Sequence, residues 1–206
     1  MSNIIFIGLL PIICRYISIS ANHSRVFLST ISGNYMLDPE RWIFALGVLI
    51  FVIIHIYITG PISTRLLSNA EHNIKNFAFN LEIFVLGTFL LIAWIPAHMI
   101  LGMHALLGGM LFILSVFWLQ TLLQYTHNNS DYVYILRYIS FGIACICLLG
   151  MLSTFPSDLI GELVLTKNNS PERVYLLAMD ERWTYFALFE WIFYYAILVF
   201  IATCSP

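Results

Sequence analysis

The chain has 206 residues, of which 60% are hydrophobic and only 10% charged, with a net charge of −2. A soluble domain carries about 25% charged residues, and nucleic-acid binders show basic clusters, so both classes are excluded. A mean hydropathy of +0.87 describes a polytopic membrane chain.

Taken in order, the apolar runs predict six membrane spans, each near the roughly 20 residues that cross a hydrocarbon core. The first, residues 3–20, contains Gly8 and Pro11, with Arg15 close enough to its end to snorkel to the interface. No Lys or Arg precedes this run, so it reads as a retained span rather than a signal peptide, despite the small-residue stretch Ser18-Ile19-Ser20. A polar loop, 21–41, leads into the second span, 42–59. There Asp38 suits an N-cap, Pro39 the first helical position, and Glu40 a first turn where negative charge meets unpaired amides. Trp42 suits the interface and Gly47 a close helix contact. Gly60-Pro61 stops this span. The third, 77–95, ends at Pro96, and its short link to the fourth, 103–125, predicts an antiparallel hairpin. The fifth, 133–155, stops at Pro156, and the sixth, 182–204, follows the longest loop. The expected architecture is one all-α transmembrane domain, residues 1–206, without repeats. Arg65, Lys75 and Arg137 are assigned to the second and fourth loops, and Arg25, Arg41, Lys167, Arg173 and Arg182 to the first and fifth. That distribution does not favour cytosolic termini.

A charge at the centre of a span costs about 2.5–3.5 kcal/mol on insertion scales, so ionisable residues inside the runs are the first candidates for function. Glu190 lies about two turns into the sixth span, sharing a helical face with Trp183, Ala187 and Tyr194. Glu82 sits in the third span with Asn76 and Asn80 nearby, His104 opens the fourth, and His55 lies near the end of the second. Two readings are open. The groups line a polar pocket that holds a lipid headgroup or a proton, or they satisfy one another across helices with the acids neutral. His55 reads as structural. His98 and His104 are six apart, and neither a His-Glu-x-x-His nor a Gly-x-Ser-x-Gly motif occurs, so no metal, cofactor or catalytic residue is assigned. Gly102, Ala105 and Gly109 on the fourth span, and Gly142 and Gly150 on the fifth, read as packing stripes. Cys14, Cys145, Cys147 and Cys204 all lie in or at the end of apolar runs and read as filler.

Four stretches carry a family likeness. They are Ile31-Ser32-Gly33-Asn34-Tyr35 followed by Pro39-Glu40, Asn80-Leu81 with Gly87, His104 through Leu119-Gln120, and Glu190-Trp191. In this span order the chain resembles the FRAG/DRAM/SFK group of six-span membrane proteins. That group includes the damage-regulated autophagy modulators, the Sfk-type regulators of phosphatidylinositol 4-kinase and, more distantly, the GPI-anchor lipid-remodelling factor. Asp38 departs from the family's Pro-Pro-Glu, the acidic residue after Ser32 is missing, and the spacing from His104 to Gln120 is shorter. The resemblance implies a non-enzymatic protein that binds or organises membrane lipids and regulates a partner complex, such as a phosphatidylinositol 4-kinase assembly, in autophagy or phosphoinositide signalling. The alternatives are a lipid-remodelling factor and a structural subunit of a larger assembly. It implies an endomembrane (lysosome, Golgi or endoplasmic reticulum) or plasma-membrane location with cytosolic termini. Ser32, Gly33, Pro39 and Glu40 would then mark a lid-forming loop on the non-cytosolic face. Asn22 and Asn168, in Asn-x-Ser sequons, would be glycosylation candidates on that face.

Overall fold

The computed structural model describes residues 2–23, 26, 28–95, 101–125, 131–156 and 180–204. Seven α-helices are described: α1 (Ser2–Ser20), α2 (Glu40–Ile53), α3 (Ile62–Leu66), α4 (His72–Trp94), α5 (Leu101–Tyr125), α6 (Asp131–Thr154) and α7 (Thr184–Thr203). Short 3-10 turns cover Ser32–Tyr35 and Glu181–Trp183, and α2 runs on as a π-helix over Ile54–Thr59. Among the described residues, six stretches are long and apolar enough to cross a membrane, matching the six spans read from the sequence.

Each long helix packs on the next in chain order: α1 on α2, α2 on α4, α4 on α5, α5 on α6 and α6 on α7. Contact between α7 and α1 closes the ring. Chain alternation puts the loop before α2 at the same end as the α4–α5 and α6–α7 connections. This end is called the first-loop end below.

The seam between α1 and α7 follows from one residue. Pro11 lies inside α1 and has no N–H, so the carbonyl of Ile7 loses its intrahelical donor. In a bilayer such a group must be satisfied by a neighbour. The Tyr194 hydroxyl supplies the bond, donating to Ile7 O at 2.6 Å, and Tyr195 donates to Gly8 O at 3.0 Å.

Several sequence readings are corrected here. Asp38 does not cap α2. The helix starts after Pro39, whose carbonyl accepts from Trp42 and Ile43, and Asp38 is left exposed without a capping bond. The Asp38–Pro39 peptide is cis. Arg137, assigned above to a loop, is buried within α6 and donates to Thr203 O at 2.8 Å and Thr203 Oγ1 at 3.0 Å. It therefore clamps the carbonyl end of α7, where a cation is favoured. Residues 62–66, read as loop, form α3 directly after Gly60, which takes a left-handed φ of 72° that costs glycine nothing.

The small-residue stripes divide. A Cβ on Gly47 would meet Leu10 at 2.6 Å, and one on Gly150 would meet Phe189 at 2.6 Å, so both sites hold helices close together. A Cβ on Gly109 or Gly142 would meet nothing within 4 Å, and Ala105 is exposed. The α5 stripe thus faces open space rather than a packed neighbour.

Candidate functional site

Glu82 is fully buried in α4 and has no oxygen to spare. Its Oε1 accepts from Ile62 N at 2.7 Å and lies 2.6 Å from His55 Nε2, while Oε2 accepts from Ser63 N at 2.8 Å. The carboxyl therefore caps α3 from a different helix. Ser63 extends the node, donating through its hydroxyl to Ala78 O and accepting from Trp118 Nε1.

Glu190 has a different setting. It is 8% exposed, and its Oε2 accepts from Ile31 N at 2.8 Å, its single hydrogen bond among the described residues. The next residue, Trp191, donates from Nε1 to Ser29 O at 3.0 Å. The first loop is drawn inward by these two contacts. From the other side Arg15 holds it, donating to Ser29 Oγ, Asn34 Oδ1 and Val26 O at 3.1, 3.3 and 2.6 Å. Arg15 thus extends from α1 into the loop at that helix's end. Inside the loop, Gly33 N donates to Thr30 Oγ1 at 2.9 Å, closing a tight turn that brings Thr30 and Ser32 against the bundle. Tyr35 stacks on Phe44 at 3.9 Å, and burial, reinforced by Glu190 and Cys14, pushes its phenol well above the ordinary value.

Two hollows adjoin Glu190. A central cavity of about 110 Å³ runs from Glu190 and Tyr35 to the His55–Glu82 node, walled mainly by apolar side chains. A groove of about 210 Å³ lies at the first-loop end between α5, α6 and α7. Thr30, Ser32, Gly33, His104 and Glu190 make its polar side, while Phe112, Leu148 and Met151 are among its apolar walls. Its lining residues Ile113, Leu152 and Phe155 are 49%, 68% and 39% exposed on the outer surface, so the groove opens sideways where lipid would lie. Ala105 and Gly109, the α5 stripe, form part of its wall and keep it open.

The remaining sequence candidates separate from one another. His104 is buried, and its Nδ1 donates to Ile95 O at 2.7 Å, closing the end of α4 while the ring faces the groove. Asn80 is exposed on the outer surface of α4 and lines neither hollow. Glu82 and His104 share no hollow, although each shares one with Glu190. In the loop, Pro39 is exposed, whereas Glu40 is buried with its Oε1 2.8 Å from His23 Nδ1. Asn22 is exposed with a φ of 58°, and Asn168 lies outside the described residues. Among the described residues no cluster of three metal-binding side chains occurs.

Sequence reasoning marked Glu190, Ser32 and Gly33 but missed Thr30 and the amide of Ile31, because neither residue type stands out in a polar loop. The usable signal was the pairing of an intramembrane Arg15 and Glu190, both requiring polar partners that only the adjacent loop could provide.

The fold and the site define a class: an all-α ring of six membrane-length helices with a part-polar groove opening at one end. No family model matches the chain, and neither a curated protein nor a solved structure matches it.

Proposed function

We propose that this is a non-enzymatic integral membrane protein that binds lipid within its bundle and thereby regulates a partner complex. The observation that carries the reading is the sideways groove, apolar along α5 and α6 and polar where the first loop meets Glu190. A ligand pocket is expected to combine apolar walls with a few convergent polar groups. The commitment of Glu82 to His55 and α3 supports binding over lipid chemistry, since both of its oxygens are already taken. The likeness to the FRAG/DRAM/SFK group supports an endomembrane or plasma-membrane setting with cytosolic termini, and a role in autophagy or phosphoinositide signalling.

Lipids retained after extraction into native nanodiscs test the proposal. Native mass spectrometry should show one lipid class enriched over the surrounding membrane, and Gly109→Leu, which fills the groove wall, should reduce that enrichment. A lipid complement identical to the bulk membrane, unchanged in Gly109→Leu, would overturn it. Affinity purification from the same membranes should recover a stoichiometric partner.

A further inference from the structure

The groove also restricts which lipid it can hold. Its polar side contains a carboxyl, two hydroxyls and an imidazole, from Glu190, Thr30, Ser32 and His104. Among the described lining residues there is no Lys or Arg. A phosphate headgroup placed here would be a buried charge with no cation to offset it, which is costly in a low-dielectric site whatever the state of the carboxyl beside it.

Depth acts in the same direction. Glu190 lies seven residues beyond Trp183, about 10 Å along the helix at 1.5 Å per residue. Trp183 packs edge-on against Phe155 and Phe186 in an aromatic cluster at the rim. Indole rings of this kind sit at the headgroup level. The ligand's polar group must therefore travel below the level where phosphates are solvated. A hydroxyl can make that descent at far lower cost than a charged group.

The hydrogen-bonding capacity of the site also matches a hydroxyl. Glu190 uses one bond, to Ile31 N, so its carboxyl retains capacity for another donor. Thr30 and Ser32 carry hydroxyls 3.4 Å apart, and these can donate as well as accept. A ligand hydroxyl donates to the first group and accepts from the second. An ammonium would satisfy Glu190 but could accept nothing.

We infer that the groove binds a neutral, hydroxyl-bearing amphiphile, its hydroxyl on Glu190 beneath the first loop and its apolar body between α5 and α6. Sterols, diacylglycerols and ceramides share this chemistry. The inference rests on the lipid-binding reading above, and its test separates failure of the one from failure of the other.

The test uses the full-length protein in nanodiscs of neutral phosphatidylcholine. Photoactivatable sterol, diacylglycerol, ceramide and phosphatidylinositol 4-phosphate probes are crosslinked, and the modified peptides are mapped. At least one hydroxyl probe should label α5, α6 or α7 around the groove, and which probe does so identifies the source. Its O-methyl ether, which cannot donate, should bind about tenfold more weakly, as loss of one buried hydrogen bond predicts. Glu190→Gln keeps an acceptor for Ile31 N and should weaken labelling to a similar degree. Gly109→Leu, whose added Cβ meets nothing in the fold, should abolish labelling even if Glu190→Gln fails to fold. Equal binding of the ether, or labelling by the phosphoinositide probe alone, would overturn the inference and leave lipid binding standing. No groove labelling by any probe would overturn both.

Discussion

Glu82 accepts from two amides of α3 and lies 2.6 Å from His55 Nε2, whereas Glu190 accepts from one amide of the first loop and borders open space. Both are carboxyls in apolar helices, and the sequence could mark them only as a matched pair of anomalies. What separates them is the partner count, which depends on backbone amides that composition does not reveal. Replacing Glu82 by Ala would strand His55 and the first amides of α3 in the interior. Each buried polar group left unsatisfied costs about 1–3 kcal/mol. Glu82→Ala should therefore lower the melting temperature in detergent strongly, as followed by circular dichroism. A Glu82→Ala melt coinciding with wild type would show that the node contributes nothing to stability.

At the scale of whole helices, the long spans were legible because about 20 consecutive apolar residues leave few alternatives. The start of α2 was misplaced, since the sequence Asp-Pro-Glu fits a cap one residue earlier than the chain uses. Helix α3 was invisible for a different reason. Five residues are too few to show a period, and its capping group lies 19 and 20 residues away in Glu82. Glycine stripes were ambiguous as well, because a gap for a neighbouring helix and a gap for a ligand need the same residue. Alanine substitution distinguishes them. Gly150→Ala forces the Phe189 ring to move and should destabilise the α6–α7 pair by about 1–3 kcal/mol, the usual cost of overpacking. Gly109→Ala meets no atom and should melt like wild type. Equal effects at the two positions would contradict the contrast between a packed face and an open one.

For the molecule as a whole, the ring order of helices follows chain order, each long helix packing on the next, but its closure does not. Closure depends on Pro11, Tyr194 and Tyr195, three residues that sequence reading treats as ordinary contents of a span. The proposed orientation puts the first-loop end on the non-cytosolic side. Asn22 and Asn168 should then accept glycans in cells, and Asn22→Gln and Asn168→Gln should each remove a glycosidase-sensitive gel shift. Modification instead at Asn128, in the Asn128-Asn129-Ser130 sequon between α5 and α6, would reverse the orientation.

The closing seam bears on how such a protein is made. Tyr194 and Ile7 are 187 residues apart, and Glu190 and Ile31 are 159 apart. While the chain is being synthesised, α1 enters the membrane and the first loop follows it long before α7 exists. Throughout that interval the carbonyl exposed by Pro11, the Ile31 amide and the Ser29 carbonyl await the donors and acceptor that α7 brings. An incomplete chain therefore leaves the Ile7 carbonyl unpaired within the bilayer, a feature by which membrane insertion and quality-control machinery could distinguish an open ring from a finished one.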